Sequence, residues 1–585
     1  MTMPSQDTLL HKQPLWYYIK NNPRAFSLGM FFLLLTNVLD GIYPLIMKVA
    51  IDQIEQQASL SDLARTCLLF FAIMASLAAT RLTWRIQFGK FHTFAAEHIR
   101  QKLFRHITSL GPNYFNKNPV GELMSLMTND VQSFRQAIGP GMLILADGFI
   151  IMAVVLPIMA SMSWSWTWKT LIFLPLVPLL IWKVMKLIHL HYKNQQDRFS
   201  ELTGVAQETV GGIRVIKSFA QENHRTSLFN SVSSAFEKAC NKVAQQDAYF
   251  IPVMEFGVAS GSVILLFVAK DDLFTGAVSI GTFVAFHRYI QKMVWPMTAL
   301  GMGFSFFQKG YASFDRIKEV LKTESDIQDT GKITIEKFES LEFRNVSFRH
   351  LASPHQILKN VSFKLRAGES LGIMGPVGAG KTTLLNLIVR LYPLEQGQIL
   401  VNGHSIEDIT VESLRRTFLL VPQEAYLFSE SVFENVSFGL GEPATTDEVQ
   451  RMTDIVDLSH EINQLPHKFE SQLGERGVNL SGGQKQRLTI ARGLIVRTPV
   501  LMLDDSLSAV DTKTEQAIES ELSRTHTSMT RIIVAHRLSS LKNIDKLLIL
   551  KDGVVEAWGS YQEVLKVSPT FQKIVQIQGE GAAHE

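Results

Sequence analysis

Six apolar stretches long enough to cross a bilayer, all in the first half of the chain, limit what this sequence can fold into more than any other feature. They run over about 25–47, 63–82, 138–161, 167–185, 249–269 and 280–306. About 20 apolar residues span the hydrocarbon layer as a helix, and lipid offers no water to unpaired backbone groups, so each stretch must satisfy its own N–H and C=O groups as a helix. Runs such as GMFFLLLTNVL (29–39) and TLIFLPLVPLLIW (170–182), with Trp and Lys nearby, read as membrane spans rather than as buried helices of a large soluble protein. Charged residues still make up 19% of the 585, too many for a wholly membrane-buried chain, so the second half must be water-facing.

Charge fixes an expected orientation. The short links 52–62, 162–166 and 270–279 carry almost no Lys or Arg, whereas the two long connections carry Arg100, Lys102, Arg105 and Lys117, and Lys186, Lys193, Arg198, Arg214 and Lys217. Basic residues are retained in the cytoplasm, so both long connections and both termini are expected there. Each is on the order of 60 residues with helical periodicity, which predicts membrane helices continued into the cytosol. The expected division is a cytoplasmic segment over 1–24 with no removable signal, a transmembrane domain over 25–310, a linker over 311–337 and a soluble domain over 338–585. In that last part, short β-rich runs alternate with turns and amphipathic helices, as an α/β domain requires. A net charge of +3 gives no reason to expect a nucleic-acid partner. Cys67 and Cys240 are far apart, without metal or disulfide spacing.

Chemistry concentrates in the soluble half. The buried-strand pattern Ser370–Met374 leads into Gly375-Pro376-Val377-Gly378-Ala379-Gly380-Lys381-Thr382-Thr383, which fits GxxxxGKT. In a loop of this kind backbone N–H groups close around phosphates, the lysine reaches the β and γ phosphates and the first hydroxyl ligates Mg²⁺. Val500–Asp504 is an apolar strand ending in an acid suited to the same metal. Leu480-Ser481-Gly482-Gly483-Gln484 opens a helix with small residues and presents a second anion-binding helix start. A domain with one phosphate loop has no evident need of another in the same chain.

These motifs together resemble the ABC transporter superfamily, specifically its exporters, of which LSGGQ is the signature. Gln423 in VPQE resembles the Q-loop, Gly474-Glu475-Arg476-Gly477 the X-loop, Ser508-Ala509-Val510-Asp511 the D-loop and His536 the switch histidine. Stretches 113–131 and 207–219 resemble those flanking the intracellular loops of exporters. The resemblance implies a multidomain membrane protein: an all-α six-helix transmembrane domain plus an α/β P-loop nucleotide-binding domain. It implies ATP and Mg²⁺ as cofactors, the metal held near Thr382, Gln423 and Asp504. It also implies a second half-transporter as partner, because each ATP lies between one chain's phosphate loop and the Ser481, Gly482, Gly483 and Gln484 of the other. Binding would close the pair and swing the membrane helices outward; hydrolysis would reset them.

Two positions depart from the family pattern. The glutamate that normally follows the strand-end aspartate and polarises the attacking water is replaced by Asp505, one methylene shorter. With an intact LSGGQ, this resembles MdlA-like subunits of heterodimeric bacterial multidrug exporters, in which one ATP site is degenerate; a homodimeric lipid flippase is the alternative, and a non-transport ABC ATPase a remote one. Asp505, His536 and Gln423 are the expected catalytic group. The aromatic residue expected to stack on adenine is replaced by His350. Asp40, Asp147, Glu255, His287, Arg288 and Lys292 lie within expected spans, as substrate-cavity groups or internal ion pairs. The substrate class implied is a hydrophobic or amphipathic compound, and the expected location is the bacterial cytoplasmic membrane.

Overall fold

A computed structural model of the chain describes residues 13–172, 176–351, 353–474, 477, 479–508, 510, 514–515, 517–518, 520, 529–541 and 544–581. It divides into two compact units, one formed by residues up to Thr108 with Val120–Thr323, the other by Ser109–Pro119 with Glu324 onward.

The first unit is helical throughout. After a short helix, Pro14–Asn21, four helices among the described residues are long and apolar enough to cross a membrane: Pro23–Glu55, Leu60–Ser109, Val120–Met162 and Glu222–Phe274. Each encloses an expected span and runs well beyond it. Leu60–Ser109 extends the apolar stretch 63–82 to 50 residues, about 75 Å of helix. The expected span 167–185 is divided between Trp164–Leu171 and Leu176–Gly211, with 173–175 outside the described residues. The expected span 280–306 lies in Ile280–Lys322, whose apolar run is interrupted by His287, Arg288 and Lys292. Ser279 starts that helix by accepting from the Thr282 N–H at 3.2 Å, and Ser163 starts its own by accepting from Trp166 at 3.3 Å. Both satisfy orphan donors at helix starts.

The linker expected over 311–337 begins later. Ile280–Lys322 continues through residue 311 because Phe314 and Ile317 keep the buried register of its inner face. Residues after Thr323 belong to the second unit, where Ile333 bridges Ile409 and the Lys332 N–H donates to the Asp408 carbonyl at 2.8 Å.

The second unit holds two sheets. β1 (Ser340–Phe348), β2 (Leu358–Arg366), β4 (Gln396–Val401) and β5 (His404–Ser405) form an antiparallel sheet in the order β2-β1-β4-β5, between which β3 (Ser370–Met374) enters the second sheet. That sheet adds β6 (Phe418–Val421), β7 (Val500–Asp504), β8 (Thr530–Val534), β9 (Lys546–Lys551) and β10 (Val554–Gly559), in the order β10-β9-β3-β8-β7-β6 and parallel except for the β9–β10 hairpin. β3 and β7 are buried at every residue, as strands covered on both faces must be. Leu371, Ile373, Met502 and Val534 join one core; Met374, Leu503, Ile533 and Ile549 join the core on the opposite face. This two-sided burial accounts for the continuous, non-alternating apolar runs of these strands.

Candidate active site

β3, β8 and β7 are parallel neighbours, so all three deliver their carboxyl ends to one edge, where open α/β sheets place their ligands. Register makes them end level, because Ile373 pairs with Val534 and Val534 with Asp504. The loops that follow therefore gather at one point.

The loop after β3 is possible only because of its glycines. At Gly375 φ is +152°, and a Cβ there would lie 2.0 Å from the Leu550 carbonyl oxygen. Gly380 has φ +96° and would press a Cβ to 2.7 Å from Leu358. Gly375→Ala is expected to cost about 1–3 kcal/mol and to weaken nucleotide binding with it, read as a lower unfolding temperature and a lower affinity for a fluorescent ATP analogue. Lys381 opens the helix Lys381–Ile388 and folds back over the loop, its Nζ donating to the carbonyls of Gly375 (2.9 Å) and Pro376 (3.0 Å). Burial pushes its pKa down, and the carboxylates of Asp505 and Asp504 oppose that shift.

Thr382 Oγ1 donates to Asp504 Oδ1 at 3.2 Å. Asp504 is only 3% exposed. Burial pushes its pKa up, against the Thr382 hydrogen bond, with the Asp505 charge adding to the rise. A hydroxyl and a buried carboxylate are hard oxygen donors that fit a small divalent cation. Among the described residues no three or more His, Cys, Asp or Glu side chains gather as a metal cluster. Such an ion would thus take few protein ligands, as Mg²⁺ does beside phosphates.

A metal requires ionised Asp504, and its pKa lies above the ordinary carboxylate value, so protons compete from a higher pH than at a free aspartate. Mg²⁺-dependent nucleotide affinity is expected to fall as pH drops through that raised pKa, by up to about tenfold per pH unit for one displaced proton. Calorimetric titration from pH 8 to 5 reads this. The part of the dependence that Asp504 contributes should be lost in Asp504→Asn, leaving that of the nucleotide's own γ phosphate.

Asp505 follows with φ +47°, a left-handed conformation that Asp adopts more readily than most residues. Its Oδ2 accepts from Gln423 Nε2 at 3.2 Å, and His536 Nε2 lies 3.8 Å away. The Gln423 carbonyl in turn accepts from buried Gln486 of the helix Gly482–Leu494 at 3.2 Å. The three expected catalytic side chains thus meet around one carboxylate. Gln423, expected at the metal as well, has its side-chain hydrogen bond to Asp505. Val377–Thr383, Gln423, Asp504, Asp505 and His536 line one cleft of about 300 Å³, with Ile357 and Val534.

Two expected groups are placed elsewhere. The His350 ring stands edge-on to Tyr392, at 4.8 Å, and to Phe348, at 5.0 Å, where burial lowers its pKa. Ile357, held by its N–H to the Phe348 carbonyl at 2.8 Å, lines the cleft, and His350 is not part of that lining. None of Ser481, Gly482, Gly483 and Gln484 lines the cleft. Ser481 caps its helix, accepting from the Gln484 N–H at 3.3 Å while Gln484 Oε1 accepts from the Ser481 N–H at 2.9 Å. Ser481 and Gly482 are exposed, and nothing lies within 4 Å of a Cβ built on Gly482. Glu475 and Arg476 of the expected X-loop, and Ala509 and Asp511 of the expected D-loop, lie outside the described residues.

In the first unit, Lys292 pairs with Asp40, and Arg81 approaches the same carboxylate at 3.4 Å. Asn37 Nδ2 (2.9 Å) and Trp295 Nε1 (3.1 Å) donate to the two oxygens of Asp147. His287 contacts Ser262 and Gln291, Arg288 contacts Gln291, and Glu255 is exposed. Sequence reasoning passes over Arg81, which stands at the edge of the second expected span where a basic residue reads as an interfacial end, and over Ile357, whose apolar side chain carries no chemical signal.

Comparison with known proteins agrees with this arrangement. Residues 26–297 match the ABC transporter transmembrane region and residues 358–508 the ABC transporter domain. The chain is 34% identical, over 95% of its length and 96% of the relative's, to the multidrug resistance-like ATP-binding protein MdlA of Buchnera aphidicola subsp. Schizaphis graminum. It is 33% identical, over 94% of each chain, to a probable multidrug resistance ABC transporter ATP-binding/permease protein, YheI, of Bacillus subtilis. It is 30% identical, over 94% of its length and 96% of the relative's, to an ATP-dependent lipid A-core flippase of Desulfotalea psychrophila. Its fold is that of a bacterial Atm1-family ABC exporter solved with ATP bound, with TM-score 0.79 at 23% identity, covering 95% of this chain and 99% of the other.

Proposed function

Because this chain belongs to the ABC transporter family, as an exporter half-transporter with one membrane region and one ATPase domain, we propose that it exports hydrophobic or amphipathic compounds as one of two unlike subunits. It is a multi-pass inner-membrane protein that couples ATP hydrolysis to transport. In the proposed arrangement six helices cross the membrane, including the stretches 167–185 and 280–306, and both termini and the ATPase domain are cytoplasmic. Lys381 and the loop Gly375–Gly380 hold the phosphates, Thr382 and Asp504 hold Mg²⁺, and Asp505, Gln423 and His536 surround the attacking water. When bound, Mg²⁺ supplies charge neutralisation at the phosphates.

One observation carries the two-chain part of the reading: Ser481 and Gly482 are exposed and apart from the cleft their own domain forms. A helix start with free N–H groups in the open can serve a nucleotide held by a second chain. In this reading the chain's own phosphate loop works slowly with Asp505, and its Ser481 loop completes a fast site on a partner carrying glutamate. The purified chain alone is then expected to turn over ATP slowly, and adding the partner to restore the rate. Fast turnover by the isolated chain would defeat the unlike pair.

That outcome defines the second reading, a homodimeric lipid flippase, which relatives named lipid A-core flippases at 30% identity favour. Asp505 would then suffice as the water-polarising group.

A further inference from the structure

We propose that the cavity between the helices Pro23–Glu55, Leu60–Ser109, Val120–Met162 and Ile280–Lys322 binds an amphipathic anion, a ligand with an acidic head and an apolar tail. The inference rests on the reading of this chain as an exporter and names the substrate class of its membrane half.

The cavity, about 350 Å³ and open on one side, is lined wholly by residues of the first unit. Asp40 stands near the middle of its helix, about 25 Å from one end and about 22 Å from the other at 1.5 Å per residue, inside the expected membrane span 25–47. Charges there are costly and mark sites or internal pairs. Pairing accounts for part of the set. Lys292 and Arg81 share Asp40, so two cations face one carboxylate. Asp147 is met by the neutral donors Asn37 and Trp295, which satisfy both of its oxygens without a counter-charge.

Arg85 adds a third cation to the lining, stacked 5.5 Å over the Trp84 ring, with no ion pair among the described residues. Three cations against two carboxylates leave a formal excess of one positive charge. Hydrogen bonding leans the same way. The Trp84 indole N–H is buried with no partner, Arg85 keeps its guanidinium donors, and both carboxylates already have theirs. What the cavity lacks is acceptors, and the guanidinium of Arg85, held over the Trp84 ring, suits a phosphate or carboxylate head. A cationic ligand would meet Arg81, Arg85 and Lys292 instead. Leu143, Ile144 and Ile151 supply an apolar wall for a tail.

The test uses the full chain in nanodiscs of zwitterionic lipid, titrated calorimetrically with decyl phosphate, decyltrimethylammonium and inorganic phosphate, with empty nanodiscs subtracted. Decyl phosphate is expected to bind at least tenfold tighter than decyltrimethylammonium and at least 100-fold tighter than inorganic phosphate. Arg85→Gln should remove most of the preference, and because Arg85 forms no ion pair, folding should survive the change. Adding phosphatidic acid to the bilayer separates the sources: competition makes the ligand a lipid and its absence a soluble amphipath, and either upholds the site. Equal affinity for the cation, equal binding of inorganic phosphate, or an unchanged preference in Arg85→Gln would overturn it. A fluorescent ATP analogue titrated into the same samples should bind the variant and the parent alike. If decyl phosphate binds as expected but leaves ATP turnover unchanged, the exporter reading fails while the anion site stands.

Discussion

Asp505→Glu is expected to raise ATP turnover of the purified chain by about 10- to 100-fold. The carboxylate of Asp505 stands between Gln423 and His536 at the end of β7, so its direction is set while its reach falls one methylene short of the position a glutamate would fill. Misplacement on the order of 1 Å costs about 100-fold when a group must orient a reacting water. Glutamate restores the reach and leaves Lys381, Thr382 and Asp504 untouched. Nucleotide affinity should hold steady while kcat rises, which separates a positioning effect from a binding one. Turnover that stays level or falls would mean Asp505 already stands where the water needs it, and the flippase reading would gain.

The second large effect concerns the other end of the composite site. Gly482→Glu is expected to lower turnover at least about 100-fold, the scale on which losing an oriented donor at a reacting oxyanion is felt. The helix Gly482–Leu494 presents its positive end through exposed Ser481 and Gly482, and a carboxylate there would repel the γ phosphate proposed to dock on it. Nothing within 4 Å opposes a side chain at Gly482, so the fold should persist. The chain's own cleft should still bind ATP, since no residue of 481–484 lines it. Whether the partner is a copy or an unlike chain, the loss is the same, which makes this variant a test of the sandwich itself. Unchanged turnover would count directly against it.

What could be read from the residues follows from how locally each feature is determined. The phosphate loop is legible because backbone geometry demands glycine at Gly375 and Gly380, and the strands beside it because two-sided burial writes an unbroken apolar run. Helix extensions are legible in kind but not in extent: hydropathy marks only 63–82, and helical periodicity beyond it predicts continuation into the cytosol without fixing the end at Ser109. The end of Ile280–Lys322 is missed for a similar reason, since Phe314 and Ile317 continue a buried face among charged neighbours. The surroundings of His350 are not legible in the sequence, because they include Tyr392, 42 residues later in the chain and absent from any local pattern. The membrane cavity is legible in part. Asp40, Asp147 and Lys292 stand out inside apolar runs, whereas Arg81 and Arg85 sit where a span and its flank meet and signal nothing until the helices are packed. The proposed partner of the Ser481 loop cannot be read from the loop's own residues, because in this account it lies on another chain.

The most direct measurement is the reactivity of Ser481→Cys toward a maleimide in native membranes, with Cys67 and Cys240 replaced by serine. Ser481 is exposed in the single chain, so labelling should be fast without nucleotide, and MgATP should slow it by at least about tenfold as a second subunit's nucleotide covers the loop. Labelling that stays fast while ATP is bound at Lys381 would show that the Ser481 loop never meets a nucleotide, and the account of a site shared between two chains would be wrong.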